Sequence, residues 1–285
     1  MRMIKPLQQG AQLLRDIRST ADRADGFRLW WLGQSGFLIQ WARRHCLLDP
    51  YLSDSLTIKY ADTDKPHERM SELVIAPEHL DMVDVVTSSH NHTDHLDAYT
   101  LGPLRGANPD LSLIIPEANR AFVQDRLQCD IRWPVGLTDG TQVGEKGFTF
   151  IGIPASHEDL DTDSQGRHRY MGYVIRSGRW TVYHSGDTLL YDGMVERLRP
   201  LNIDVALLPI NGRDPARRVA GNLDGPQAAK LARDMGARMV IPCHYDMFAF
   251  NTAPPDAFAH ACVALGQPFR VLRLGERLAL PASGP

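Results

Sequence analysis

Cysteine is scarce and scattered in this chain: Cys46, Cys129, Cys243 and Cys262 are its four, with no Cys-x-x-Cys pair among them. Isolated thiols of this kind suit a reducing compartment, so the expectation is a cytoplasmic protein with free cysteines. They also offer no thiolate cluster to a metal. Long apolar runs are missing as well. No stretch reaches the roughly 18 residues that a membrane-spanning helix needs. The opening Met1-Arg-Met-Ile-Lys-Pro has no continuous apolar core of the targeting type. Charge of one sign is not in excess. A formal net charge of −3 over 285 residues argues against nucleic-acid or membrane-surface partners held by whole-molecule electrostatics. Low-complexity tracts, fixed-period repeats and Ser/Gly-rich linkers are absent too, so nothing divides the chain. The reading is a single α/β domain over residues 1–285.

What is present is a succession of short apolar runs from Leu29 to Leu280. Phe27 to Trp41 alternates like a strand and breaks at Gly33-Gln-Ser-Gly36. His45 to Leu48 begins another strand that ends at Asp49-Pro50. Met82 to Thr87, Phe148 to Ile153, Tyr170 to Ile175, Trp180 to His184 and Ile203 to Pro209 are further strands, the last apolar enough to be buried on both faces. Residues from about Leu7 to Ala21 predict an amphipathic helix through Leu14 and Ile17. Ala98 to Leu104 and Asn119 to Leu127 predict helices, with Asn119 capping the second. Asp224 begins a helix entered through Pro226 and ended at Gly236, and Pro255 to Leu265 forms the last. Tyr51 to Pro77 is polar and too long for an ordinary connection, which marks it as a lid or binding loop.

Against this background the run Ser89-His-Asn-His-Thr-Asp-His-Leu-Asp97 stands apart. His90, His92, Asp94 and His95 make a poor core, because each needs a polar partner once buried. They make a good metal site. In extended backbone His90 and His92 face one side, and Asp94 and His95 follow as the chain turns toward a second cation. Three more apolar runs deliver a similar residue at their carboxyl ends. Ile151-Gly-Ile-Pro-Ala-Ser ends in His157, Trp180-Thr-Val-Tyr-His-Ser-Gly ends in Asp187, and Val240-Ile-Pro-Cys ends in His244. In α/β sheets ligands collect at that end of the strands. Imidazoles and carboxylates suit zinc, manganese or iron.

The order His90-x-His92-x-Asp94-His95, His157, Gly186-Asp187 and His244 resembles the metallo-β-lactamase fold hydrolases. Trp30-Trp31-Leu-Gly-Gln-Ser-Gly-Phe, Tyr183-His-Ser-Gly-Asp187, Ile203-Asp-Val-Ala-Leu and Val240-Ile-Pro-Cys-His-Tyr-Asp246 are similar to the ascorbate-6-phosphate lactonase-like branch. The likeness runs from about Leu29 to Pro255. It implies a four-layer αββα sandwich and two divalent metal ions. His90, His92 and His157 would hold one ion, Asp94, His95 and His244 the other, with Asp187 bridging. Such a carboxylate offsets repulsion between dications roughly 3.5–4 Å apart, and a water between them would lose a proton near neutral pH. Asp94 would also orient that water, and Asp49 would hold a ligating histidine from behind; a turn-capping role for Asp49 is equally open. The implied activity is lactone or ester hydrolysis. The wider family, to which the His157 arrangement is similar, includes phospholipase D-like N-acylphosphatidylethanolamine hydrolases and so implies phosphodiester hydrolysis as the alternative. A non-catalytic regulator that kept the scaffold would be expected to lack a ligand, and none is missing. Relatives of the lactonase type also imply a homo-oligomer.

The partner expected is a small-molecule substrate. Asn211-Gly-Arg213-Asp-Pro-Ala-Arg217-Arg218 follows a buried strand at the expected rim, and its guanidinium groups fit an anionic substrate; a solvated basic loop is the alternative. Asn222 and Tyr245 are candidates on position alone. His184, three residues before Asp187, is a candidate proton donor to a leaving group or a strand histidine bonded to backbone. His45, His67, His79, His168 and His260 show no ligand spacing.

Overall fold

The computed structural model describes residues 3–23 and 26–281. Its elements run α1 (Gly10–Arg18), β1 (Phe27–Gly33), β2 (Gly36–Trp41), β3 (Arg44–Leu48), α2 (Ser55–Lys59), β4 (Val85–Thr87), α3 (Ala98–Ala107), β5 (Ser112–Pro116), α4 (Arg120–Leu127) and β6 (Pro134–Leu137). They continue with β7 (Gln142–Glu145), β8 (Phe148–Pro154), β9 (Met171–Ser177), β10 (Trp180–His184), α5 (Met194–Leu198), β11 (Val205–Pro209), α6 (Gly225–Asp234), β12 (Met239–Cys243), α7 (Asp256–Leu265) and β13 (Arg277–Leu280).

Two sheets result. The first has seven strands in the order β13-β1-β2-β3-β4-β5-β6, and the second has six in the order β12-β11-β10-β9-β8-β7. Each mixes a hairpin-built antiparallel part with a parallel part. β3 to β6 are parallel in the first sheet, and β10 to β12 in the second. The parallel strands are apolar on both faces because the opposite sheet covers one and helices the other; β11 is accordingly buried at every residue. The sheets meet through one apolar core that includes Phe27 of β1 and Trp180 of β10, ring centroids 5.7 Å apart. Helices α3 and α4 lie outside the first sheet, and α6 and α7 outside the second. This is the αββα sandwich. No helix among the described residues is long and apolar enough to cross a membrane, and all four cysteines are buried free thiols.

Several sequence expectations change in detail. The first helix is shorter than residues 7–21, and it buries Leu13 and Ile17 rather than Leu14 and Ile17. Its seat on β1 explains the choice, because Trp30 Nε1 donates to Asp16 Oδ2 at 2.8 Å and sets the helix rotation. Asn119 does not cap α4; its amide donates to the carbonyl of Arg169, 2.8 Å away. Residues 51–77 are not structureless. They contain α2, and two backbone bonds, Met70 N–H to Met247 O at 2.8 Å and Ala249 N–H to Glu68 O at 3.0 Å, staple them to the segment after β12.

Candidate metal centre

Strand ends at one edge of the sandwich deliver the site. The strand before the histidine run stops at Thr87, so His90 to His95 lie in bends and turns, not in an extended continuation. Strand alternation is therefore not what aligns His90 with His92. The loop folds back, and their ring centroids stand 4.6 Å apart. Arg126 of α4 holds that loop by donating Nη1 to the carbonyls of Asn91 and Leu96, at 2.5 and 3.3 Å. Asp97 ends it by accepting from Ser53 Oγ, Ser55 Oγ and Thr100 Oγ1, at 2.6, 2.9 and 2.6 Å. His157 follows β8, Asp187 follows β10 and His244 follows β12. The glycine before Asp187 has its own reason. Gly186 sits at φ +60°, and a Cβ there would stand 2.6 Å from the Cβ of Ser89, so only glycine lets the two ligand-bearing turns approach.

Three sets of ligand atoms lie within 4.8 Å of one another: His90, His92 and His157; His90, His95 and Asp187; Asp94, His95 and His244. Asp187 reaches across them. Its Oδ1 is 3.2 Å from His95 Nε2, and its Oδ2 is 3.1 Å from His244 Nε2 and 3.7 Å from His157 Nε2. Asp94 Oδ2 is 3.5 Å from His244 Nε2 and 3.7 Å from His95 Nε2. The rings are oriented from behind. His95 Nδ1 meets Asp49 Oδ2 at 2.8 Å, and His157 Nδ1 meets the Gly221 carbonyl at 2.8 Å. With Nδ1–H donating, each Nε2 is turned toward the centre, where a cation would take the place of any proton it carries. Asp49 is itself fully buried and accepts from Thr87 Oγ1 at 2.7 Å and from Ser89 N–H at 3.1 Å. It therefore stands behind His95 rather than simply capping a turn.

Buried atoms without partners show where an ion fits. His90 Nε2, His95 Nε2 and Asp187 Oδ1 are enclosed and make no hydrogen bond of good geometry among the described residues, the last two facing each other as an ion pair at 3.2 Å. Leaving such atoms unpaired is costly, and a pair of divalent cations would satisfy all three. Protonation follows the same geometry. Burial, reinforced by neighbouring imidazoles, pushes His90 well below its ordinary value and takes His92 down to about 4. Burial likewise lowers His157. These three are neutral ligands at pH 7. Burial would lower His95 and His244 too, but Asp187 and Asp94 override it, holding His95 well above its ordinary range and His244 at about 9. Burial would raise both carboxyls, and the facing imidazoles outweigh it, so Asp94 and Asp187 stay ionised. Gln34, in the β1–β2 turn, places Nε2 2.8 Å from Asp94 Oδ2 and 3.1 Å from His244 Nε2. Nothing local in the sequence marks Gln34 beyond its place in the Trp30-Trp31-Leu-Gly-Gln-Ser-Gly-Phe motif.

A cavity of about 430 Å³ opens over His92, Asp94, His157, Asp187 and His244. Of the residues expected to bind substrate only Arg218 lines it, paired with exposed Asp64 at 2.9 Å. Arg213 turns to Glu158 at 2.5 Å. Arg217 orders its own loop through the carbonyls of Asn211 and Thr252, at 2.6 and 3.2 Å. Asn211 and Asn222 are buried and bonded to each other at 3.0 Å. Tyr245 is buried against Trp31, donates its hydroxyl to the Leu272 carbonyl at 3.0 Å, and faces a separate cavity. These five positions do not line the cavity and are corrected: after a strand end, loop geometry decides direction. His184 takes the second of its two expected roles: it is fully buried, and its Nε2 meets the Ser35 carbonyl at 2.9 Å, so it is the backbone-bonded strand histidine and not the candidate proton donor. The cavity is lined instead by Lys59, Tyr60, His67, Arg126, Phe248 and Phe250. Only the length of the 51–77 segment hinted at the first three. Nothing local in the sequence marks Arg126 or the two phenylalanines.

Known proteins bear on this geometry. A model described as a beta-lactamase superfamily domain matches residues 44–245. A metal-dependent hydrolase of Opitutus terrae is 30% identical over 258 residues, covering 88% of this chain and 99% of that one. Among solved structures, a metallo hydrolase from the archaeon Ignicoccus hospitalis superposes with a TM-score of 0.65 at 22% identity, covering 90% of this chain and 98% of the other. A possible metal-dependent hydrolase from Veillonella parvula gives a TM-score of 0.72 at 15% identity, covering 89% and 99%. At such identities the two structures share the fold.

Proposed function

The chain belongs to the beta-lactamase superfamily, among its metal-dependent hydrolases, and from that premise we propose that it hydrolyses a lactone or related ester of a small molecule. The observation that carries the reading is the convergence of five imidazoles and two carboxylates, with buried atoms on three of them that make no hydrogen bond of good geometry. In the proposed arrangement His90, His92 and His157 hold one divalent cation. Asp94, His95 and His244 hold a second, and Asp187 lies between. Zinc, manganese and iron all suit these donors. When bound, such cations supply a Lewis acid and acidify water near neutral pH.

The chain's own residues do the remainder. Asp187, ionised and reaching both groups, offsets the charge brought together there. Asp94 has two oxygens, of which Oδ2 is tied to Gln34 Nε2, so its carboxylate can orient an attacking water along a fixed direction. Asp49, through His95, keeps that imidazole from turning. The likeness to the ascorbate-6-phosphate lactonase-like branch supports a lactone or ester. Phosphodiester hydrolysis is the second reading, favoured by His157 completing a three-imidazole group.

Turnover of a lactone panel against bis-aryl phosphates separates the two. His92→Ala and Asp187→Ala are expected to lose metal and activity together, by elemental analysis and by rate. Variants that bind metal normally and keep their rate would overturn the mechanism.

A further inference from the structure

The metal-ligand cluster forms only one side of the cavity. The other side is aromatic. Tyr60 stacks on His67 with centroids 4.1 Å apart and planes at 18°, and His67 meets Phe250 edge-on at 4.5 Å and Phe248 at 5.4 Å. The wall comes from two segments, one after α2 and one after β12, which the Met70–Met247 and Glu68–Ala249 backbone bonds hold side by side. It is thus built before any ligand arrives, and it presents flat apolar surface toward ionised Asp94 and Asp187.

Cations edge this wall. Lys59 Nζ stands 5.1 Å above the Tyr60 ring, and Lys65 Nζ stands 4.9 Å above Phe250. Lys65 Nζ lies behind the cavity lining, closed off from solvent and without a hydrogen-bond partner among the described residues, although an ammonium carries three donors. Arg218 lines the same cavity, and its neighbour Asp64 is an exposed carboxylate whose hold solvent screens. No ion pair joins Lys59 or Lys65 to a carboxylate among the described residues, although Asp64, the partner of Arg218, also acts on Lys65 from a longer distance. The acids of the cavity belong to the opposite wall. An anion between Lys59 and Arg218 would meet the Lys59 donors and take the place of exposed Asp64 on Arg218.

We propose that the substrate is an ester or lactone carrying a flat, apolar ring system and a separate anionic group, the ring lying on Tyr60, His67 and Phe250 and the anion between Lys59 and Arg218, with the Lys65 charge behind Phe250. The inference rests on the hydrolytic reading for the word substrate and on the wall alone for the ligand's chemistry. Aromatic surfaces favour offset stacking of a flat body, and the ring-edge cations supply charge where water is partly excluded.

The test is calorimetric titration of the metal-loaded protein with three probes: 2-naphthalenesulfonate, the neutral 2-naphthalenesulfonamide, and methanesulfonate. A sulfonate is a weak metal ligand, so its capture reports the lysines rather than the metal centre. The ring-bearing anion is expected to bind at least about tenfold tighter than either partner probe. In Lys59→Gln/Lys65→Gln that preference over the sulfonamide should disappear. Phe250→Leu should weaken both naphthalene probes together while unchanged metal stoichiometry reports an intact centre. Equal binding of the two naphthalene probes, an undiminished preference in the double variant, or methanesulfonate binding as tightly as the ring-bearing anion would overturn the proposal. Binding needs no turnover, so a protein that shows the full selectivity yet hydrolyses no ester sinks the hydrolytic reading and leaves the wall a ligand site.

Discussion

Gln34 at φ +49°, Asp49 at φ +35° and His244 at φ +61° occupy left-handed backbone, where residues with a Cβ are strained. Hydrogen bonds hold each in place: His244 N–H donates to the Gln34 carbonyl at 3.0 Å, and both oxygens of Asp49 accept from Ser89 N–H at 3.1 Å. Strain of this kind is tolerated where the surroundings over-determine the conformation, as they do at many functional sites. Asp49 combines it with a charge that sets the His95 tautomer. Asp49→Asn keeps the volume and removes that charge, so it should weaken metal binding at Asp94, His95 and His244 by about 10- to 100-fold. A chelator-competition titration measures this. An affinity equal to the wild type would mean that Asp49 serves only its turn.

At the scale of elements, α6 shows how the site's outer layer is seated. Asp224 and Gln227 form a reciprocal cap, with Gln227 N–H on Asp224 Oδ1 at 2.8 Å and Asp224 N–H on Gln227 Oε1 at 3.0 Å. The next residue, Gly225, lies against α7 so closely that a Cβ would stand 2.7 Å from the Phe258 backbone nitrogen and 2.9 Å from its Cα. Backbone cannot yield as a side-chain end can. Gly225→Ala is therefore expected to cost about 1–3 kcal/mol through overpacking, despite alanine's better helix propensity. Denaturant unfolding reads the change. A neutral or stabilising result would show that α7 shifts freely. α3 is seated differently, by Asp97, which accepts from Ser53 Oγ and Ser55 Oγ and so ties the histidine loop to residues 53–55, and from Thr100 Oγ1 of the helix itself.

For the whole molecule, the site's ionisation sets a stability profile in the metal-stripped protein. His92 falls to about 4 from an ordinary 6.5, through burial and then its neighbouring imidazole His157. Between those values the unfolded chain binds the extra proton, so stability drops as pH falls from 6.5 toward 4. His244 rises to about 9, where Asp187 and Asp94 outweigh burial. There the folded chain binds the extra proton, so stability is full below 6.5 and drops as pH rises through 9. A maximum near pH 6.5 is expected in Tm against pH. Adding zinc or manganese should raise the alkaline limb most, since the ion replaces the proton that His244 loses. An alkaline limb unchanged by metal would contradict the assignment of His244.

The sequence by itself determined the α/β class, the seven residues that meet at the centre and the more apolar strands, because apolar periodicity and dense imidazole content are local properties of the chain; β5, β6, β7 and β13 were found only in the folded sheets. Tyr51 to Pro77 was legible as unusual by length alone. Which side chains face the cavity was decided by tertiary structure: Arg213, Arg217, Asn211 and Tyr245 turn away, and Lys59, His67, Arg126 and Phe250 turn in. The same holds for His184, claimed by the Ser35 carbonyl from another turn, and for Asp49, whose partner His95 is 46 residues distant. A side chain's direction after a strand ends depends on partners far along the chain, and no spacing rule within one segment contains them.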